Sequence, residues 1–228
     1  MWNRVEVKAR GKESFKRSYW KSVLVALIYM IFFGASGSAV SSNRQRISEE
    51  MSNDPNFGAI VAIILAIFGL ALVISALIRI FVYDPLEVGC NRFFLVNQDS
   101  DADFGELGYS FKHNYMSAVG GMFLKDLIIF IGFILLFIPG CIFFYAFRMV
   151  PFILSEDPRC PAMEALKRSS AMMRGNKWRA FVYDLSFIGW EILSALTCGI
   201  LAIFYVNPYK HNSDAALYQA IRDESNIQ

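Results

Sequence analysis

The chain has 228 residues, of which 55% are hydrophobic and only 18% are charged, and its formal net charge is +2. Soluble domains carry about 25% charged residues, so this composition excludes an ordinary water-soluble enzyme or binding domain. Several apolar runs reach the length of about 20 residues that a helix needs to cross a bilayer. The sequence therefore predicts an all-α, polytopic transmembrane helical bundle.

The basic residues are concentrated in two segments. One precedes the first apolar run and contains Arg4, Lys8, Arg10, Lys12, Lys16, Arg17 and Lys21. The other follows Ser155 and contains Arg159, Lys167, Arg168, Arg174, Lys177 and Arg179. By contrast, the stretch from Asn43 to Asn56 has only Arg44 and Arg46 beside three acids. Because Lys and Arg accumulate on the cytoplasmic side, we expect both basic segments inside and the Arg44 loop outside.

In chain order, the predicted apolar spans are Tyr19–Val40, Phe57–Tyr83, Val119–Ile138, Cys141–Leu154 and Phe181–Val206. The first also resembles the apolar region of a cleaved signal peptide, but its length favours retention as a span. A single helix from Val119 to Leu154 would be about 54 Å long, longer than the ~30 Å of a bilayer core. Pro139 lacks an amide donor and Gly140 permits a tight turn, so we expect a hairpin that turns at Pro139-Gly140.

Three similar junctions indicate an internal repeat. "FKRSYWKSV", "FKHNYMSAV" and "MRGNKWRAF" each open an apolar run, and each run ends at a proline followed by an apolar residue. We expect one membrane domain, 1–228, built from three units, 1–98, 99–160 and 161–228. Three hairpins make six crossings with Met1 and Gln228 both cytoplasmic. The alternative is five crossings, with Phe181–Val206 as one helix and the tail outside.

Two segments outside the spans are predicted as interfacial amphipathic helices. Near the start, Trp2, Val5 and Ala9 form one face, while basic residues recur every four positions from Arg4. A second helix is expected between Pro161 and Gly175. Both should lie on the inner leaflet and attract anionic lipid. Because each basic cluster adjoins a span, membrane anchoring is favoured over nucleic-acid binding.

Four stretches resemble one family. "MVPFILSEDP", "GNKW", "LSFIGW" and "NPY" are similar to an uncharacterised bacterial family of multi-pass membrane proteins, the domain of unknown function numbered 975. "TCG" and "KHNSD" near the end look less typical of it. The resemblance implies the architecture of a cytoplasmic-membrane protein in a bacterium. It carries no activity, and so no functional residues, to this chain.

No catalytic, metal-binding or cofactor-binding motif is found. The sequence has no phosphate loop, nucleophile elbow or HExxH helix, and His113 and His211 lack metal-ligand spacing to other residues. We therefore expect no cofactor and no enzyme activity, although membrane-embedded catalysis needs no such motif. A disulfide between Cys141 and Cys198 is the alternative to their use as small residues at close helix contacts.

Charged residues inside apolar spans are the candidate functional residues, because burying them in a membrane is expensive. They are Arg79, Asp126, Arg148, Asp184 and Glu191. The first four are expected near the inner ends of spans, where arginines snorkel and acids pair with them. Glu191 is expected deeper, neutral or paired inside the bundle, with Ser194, Thr197 or a facing span favoured as a partner over Arg79 or Arg148.

Two functions follow from this pattern. Short loops, which leave no room for a soluble catalytic domain, and missing catalytic motifs favour a non-enzymatic scaffold or accessory component of a membrane complex. The alternative is a small transporter or channel that uses the inner-leaflet charges and Glu191. The expected partners are the lipid bilayer and another membrane protein.

Overall fold

The structure, a computed structural model, describes residues 2–33, 57–113, 115–197 and 199–226, and within these ranges it is helical with no strands. The α-helices are α1 (Arg4–Arg17), α2 (Tyr19–Phe33), α3 (Phe57–Ile78), α4 (Asp84–Asp99), α5 (Tyr109–Lys112), α6 (Tyr115–Leu135), α7 (Phe137–Ala146), α8 (Val150–Glu156), α9 (Ala162–Met172), α10 (Lys177–Leu185), α11 (Ile188–Leu196) and α12 (Asn207–Asn226). Two π-helical turns, Arg79–Tyr83 and Ala202–Val206, lead into α4 and α12, and a 3₁₀ turn, Phe104–Gly108, precedes α5.

One half of the molecule is apolar on its surface. Three helical runs among the described residues are long and apolar enough to cross a membrane, namely Leu65–Asp99, Tyr115–Leu135 and Phe137–Glu156. Their apolar side chains point outward: Leu70 on α3 and Phe130 on α6 are each 62% exposed. Apolar surface on this scale marks contact with lipid or with another protein, as expected of a membrane protein.

The other half is a packed helical base made of α1, α4, α8, α9 and α12. Phe93 and Phe94 of α4, Val150 of α8, and Leu217 and Ile221 of α12 are almost completely buried in it. The "KHNSD" stretch, which looks less typical of the family, lies in α12, where apolar residues at helical spacing give the helix one buried face.

Helix α1 forms as predicted, but a different face is buried. Val5 is 72% exposed, whereas Val7, Gly11 and Phe15 are buried. A Cβ added to Gly11 would lie 2.6 Å from the Cα atom of Ser213, so α1 and α12 approach each other closely. The helix thus packs on protein through the face containing Gly11, because only a residue without a side chain fits there.

The return to the base passes through proline in each described case. Pro85, the second residue of α4, has no N–H to donate to the carbonyl of Phe81 four residues earlier. The Arg79–Tyr83 π-turn widens the helix here, and the Tyr115 hydroxyl donates to the Phe81 carbonyl instead. Before Pro151, the carbonyl of Phe147 accepts from the Val150 amide at 3.2 Å. Proline therefore bends or widens the chain at these points while the freed carbonyls keep donors.

Helices α6 and α7 form the expected hairpin, but the turn is not at Pro139-Gly140. It lies at Leu136, whose φ of −164° and ψ of 145° are extended. The Leu136 amide donates to Gly132 at 3.1 Å and the Gly140 amide to Leu136 at 3.3 Å. Pro139 is the third residue of α7, where a helix needs no amide donor. Gly140 has a packing role, since a Cβ there would lie 2.5 Å from the Phe133 ring.

The first and last predicted spans differ in how much the structure describes. Residues 34–40 of Tyr19–Val40, and the Arg44 loop, lie outside the described residues.

The run Phe181–Val206 is not one helix, because α10 ends at Leu185 and α11 at Leu196. Gly199 has a φ of +83°, which favours glycine, and its amide donates to Ser194 at 3.0 Å. The chain is therefore interrupted near Gly199, and a second break lies at Ser186.

Candidate functional site

Charged side chains from five helices and one loop surround a cavity of about 590 Å³ between the apolar half and the base. We call it the charged cavity. Its ionisable lining residues are Glu87 of α4, Lys125 and Asp126 of α6, Arg148 of the α7–α8 loop, Asp184 of α10, Glu191 of α11, and Lys210, His211 and Asp214 of α12. Lys125 is ten residues from each end of α6, about 15 Å along the helix. The cavity is therefore at mid-length of that helix.

Arg148 is the most fully engaged cation in the cavity. Its Nη1 atom is 2.6 Å from Asp184 Oδ2, and its Nη2 atom is 2.9 Å from Asp184 Oδ1 and 2.8 Å from Asp214 Oδ1. The Tyr145 hydroxyl also donates to Asp184, at 3.1 Å. Paired hydrogen bonds between Arg and a carboxylate are among the strongest in proteins. This cluster joins the α7–α8 loop to α10 and α12.

Lys125 and Arg79 form a second cluster with acids. The Lys125 ammonium is 3.3 Å from Asp126 Oδ1 and 3.9 Å from Glu87 Oε1, and its side chain is 12% exposed. Arg79 Nη2 is 3.2 Å from Asp126 Oδ2, but the Arg79 side chain is 62% exposed. Asp126 therefore has two cationic neighbours, one enclosed and one at the surface. The cluster joins α6 to α4 and to the π-turn before it.

Glu191 is paired, but with a residue that the sequence analysis did not consider. Its Oε1 atom is 3.6 Å from the Lys210 ammonium of α12, and its side chain is 47% exposed. The expected hydrogen bond to Ser194 or Thr197 is not formed, since the Thr197 hydroxyl donates to the Ser194 carbonyl. A lysine one helix away provides a better partner for a carboxylate than a neutral hydroxyl, because it neutralises the charge.

His211 contributes no charge to the cavity at neutral pH. Burial lowers its pKa to about 4, and the neighbouring Lys210 acts in the same direction while Asp214 opposes both. The imidazole stacks on the Phe94 ring, with centroids 5.2 Å apart. Five carboxylates then face three cationic groups in the lining, so the cavity has a net charge of −2.

All five residues that the sequence singled out lie in or beside this cavity. Asp126, Arg148, Asp184 and Glu191 line it, and Arg79 contacts it through Asp126. The sequence analysis missed Glu87, Lys125, Lys210, His211 and Asp214. Lys210 and Asp214 are four residues apart, a spacing that puts both on one face of a helix, so the pattern was readable once α12 was recognised as helical.

The described residues offer no arrangement of metal ligands. No group of three or more His, Cys, Asp and Glu side chains there could hold a metal ion. Cys90, Cys141 and Cys160 are free thiols, and Cys198, the other half of the disulfide considered above, lies outside the described residues. What the cavity can do chemically is to bind charge and to hold helices together through ion pairs.

Comparison with known proteins gives a family and no closer relative. No curated protein and no solved structure matched significantly. Residues 107–225 match the sequence model of a family described as Protein of unknown function (DUF975). The matched region runs from just before α5 into the last turn of α12, and so includes Arg148, Asp184, Glu191 and the α12 residues of the charged cavity. Because the match covers more than half of the chain, the protein belongs to the DUF975 family.

Proposed function

We propose that the protein is an integral membrane scaffold, a non-enzymatic accessory component of a membrane complex. The observation that carries this proposal is the pairing inside the charged cavity. Each cation there has at least one acid from another element within 4.0 Å. From Leu127 to Phe147, and from Ile192 to Tyr209, the sequence has no charged residue at all. Charges that pair across helices fix helix positions, and a single layer of them makes no polar path across a membrane.

Helix α3 supports a partner role. Its residues from Leu65 to Ile78 have large exposed fractions on every side, among them 63% for Ile67 and 57% for Val73. Ala62, Ala66, Gly69, Val73 and Ala76 recur at helical spacing along one face. Nothing lies within 4 Å of a Cβ built on Gly69. Small residues let transmembrane helices approach closely, so this face fits a transmembrane helix of another membrane protein.

The topology we propose has the base at the cytoplasmic face of a bacterial cytoplasmic membrane. Six crossings in three hairpins place both termini inside, and five crossings are the alternative. Two features support the three-unit repeat: prolines stand at the start of α4, α8 and α12, and π-turns precede α4 and α12. Exposed basic residues near the base, such as Lys12, Lys16 and Lys167, fit contact with anionic lipid of the inner leaflet.

Position-dependent photocrosslinking in native membranes tests the scaffold proposal. A photoreactive amino acid would replace Gly69 or Val73 on the small-residue face, and Ile67 or Ile74 on the opposite face as matched controls. We expect one defined protein adduct from the first pair and lipid adducts from the second. Lipid adducts from all four positions, or the same proteins from all four, would contradict a specific helix partner.

A transporter or channel is the second candidate, and the cavity itself is the observation that favours it. A cavity of about 590 Å³ lined by charged groups is large enough to hold a small substrate. Proteoliposomes loaded with a pH-sensitive or cation-sensitive dye distinguish this candidate from the scaffold. Flux that Glu191→Gln abolishes, while Asp223→Asn at an exposed site does not, would favour the transporter. Flux no faster than that of empty liposomes favours the scaffold.

A further inference from the structure

The charged cavity has more space and more negative charge than helix packing requires. Its volume of about 590 Å³ is within the range of about 300–1,000 Å³ that is usual for small-molecule sites. Apolar side chains line one part of its wall, including Ile129, Phe144 and Phe147, and ionisable groups line the rest. A wall of this mixed kind matches a ligand that has both an apolar body and a charged group.

The sign of that ligand's charge follows from how the acids share their cations. Asp184 and Asp214 share Arg148, and Glu87 and Asp126 share Lys125. Carboxylates removed from water are costly when they are not matched one to one by cations. A cation in the cavity would reduce this cost, whereas an anion would increase it.

Two of these carboxylates can accept a further donor. The Glu191–Lys210 distance of 3.6 Å is longer than the 2.7–3.2 Å of an ordinary N–H···O hydrogen bond. The side chains of Glu191 and Asp126 are 47% and 35% exposed. Both side chains line the cavity and are partly exposed. The Phe144 ring, which is 50% exposed, lines the same cavity and offers a face that attracts cations.

We infer that the charged cavity binds a substituted ammonium group, with Glu191 and Asp126 receiving the cation and the phenylalanine rings contacting its carbon substituents. An organic cation fits better than a metal ion, because Lys and Arg side chains already occupy one side of the acids and part of the wall is apolar. The ammonium could belong to a free amine or to a lipid headgroup, since Ile129 and Phe144 come from the apolar α6–α7 hairpin. The inference does not depend on the scaffold role.

Binding of ethylammonium to the purified full chain in phosphatidylglycerol nanodiscs tests it, with sodium chloride at equal ionic strength as the reference. Isothermal titration calorimetry should give saturable binding of ethylammonium above the sodium reference. Glu191→Gln should weaken this binding about tenfold, as expected for loss of one charged hydrogen bond. Lys210→Gln should strengthen it, because the cavity then loses a competing cation. Asp223→Asn is the matched control, since that side chain is 59% exposed and outside the cavity, and its affinity should equal that of the wild type.

The opposite effects of the two cavity variants distinguish ligand binding from a purely structural role. No saturable binding, or Glu191→Gln and Lys210→Gln shifting the affinity in the same direction, would overturn the inference. If Glu191→Gln does not yield monodisperse protein, Asp126→Asn takes its place with the same expected loss. Adding phosphatidylethanolamine to the nanodiscs identifies the source: competition with ethylammonium supports a lipid headgroup, and unchanged affinity supports a free amine. The scaffold proposal stands or falls separately, on the crosslinks from α3.

Discussion

Arg148 holds three segments together through two carboxylates that would otherwise repel each other. Its side chain is 14% exposed, and those of Asp184 and Asp214 are 24% and 19% exposed. Low exposure strengthens the ion pairs but also makes an unpaired acid costly. Removing the arginine would therefore leave two enclosed carboxylates near each other without the cation that both contact.

We predict that Arg148→Met destabilises the protein strongly. Removing one partner of an enclosed ion pair costs about 3–5 kcal/mol, so the melting temperature in detergent should fall and the yield of monodisperse protein should drop. Arg79→Met is the matched control, because the Arg79 side chain is 62% exposed and such pairs contribute about 1 kcal/mol or less. Equal melting temperatures for the two variants would contradict a structural role for the Arg148 cluster.

His211 should make stability depend on pH. Its pKa is lowered to about 4 in the folded protein by burial, against about 6.5 in an unfolded chain. Between these values the unfolded state binds more protons, so stability decreases as pH falls from about 6.5 to about 4 and the loss is complete below that. Thermal melts at pH 7, 5.5 and 4.5 should show this decrease. His211→Gln should reduce it, and His113→Gln, at an exposed position, should not.

Sequence reasoning identified both partners of the Arg79–Asp126 and Arg148–Asp184 pairs, but only one partner of the pairs made by Lys210 and Asp214. Asp126, Arg148, Asp184 and Glu191 were recognisable because each interrupts an apolar run. Lys210 and Asp214 were not, because they stand among polar residues where a charge is unremarkable. Which acid meets which cation depends on how α12 packs under the spans. Local sequence does not contain that information.

At the scale of single elements, turns and helix faces were harder to predict than the helices themselves. The composition of "FIPGC" made Pro139-Gly140 the obvious turn, but Leu136 adopts the extended conformation instead. The proline is then tolerated in the first turn of α7, and the glycine allows α6 and α7 to touch. The sequence predicted that a hairpin forms; the contact between Gly140 and Phe133 decided where it turns. The buried face of α1 was likewise decided by contact with α12.

The α6–α7 contact predicts a large difference between two glycine substitutions. Gly140→Ala puts a Cβ atom 2.5 Å from the Phe133 ring, and such overpacking costs about 1–3 kcal/mol. Gly69→Ala on α3 meets nothing within 4 Å and should be neutral or slightly stabilising, because alanine favours helix. Thermal unfolding in one detergent compares the two directly. A stable Gly140→Ala variant would show that the two helices can move apart without loss.

At the scale of the whole molecule, two halves have different surfaces. The apolar half exposes side chains such as Leu70 and Phe130 to its surroundings, while the base buries α4, α8 and α12 against each other. The charged cavity lies where the halves meet. Composition predicted the apolar half well, since long apolar runs have few alternatives. It predicted the base poorly, because short amphipathic helices separated by spans give only weak periodic signals.

The α6–α7 hairpin provides the most direct test that the chain crosses the membrane and returns to its base. In a background without other cysteines, Leu136→Cys marks the turn and Ser225→Cys marks the end of α12. An impermeant maleimide should label Leu136→Cys in intact cells, and should label Ser225→Cys only after the membrane is permeabilised. Labelling of Ser225→Cys in intact cells, or protection of Leu136→Cys until permeabilisation, would contradict a hairpin that spans the bilayer from a cytoplasmic base.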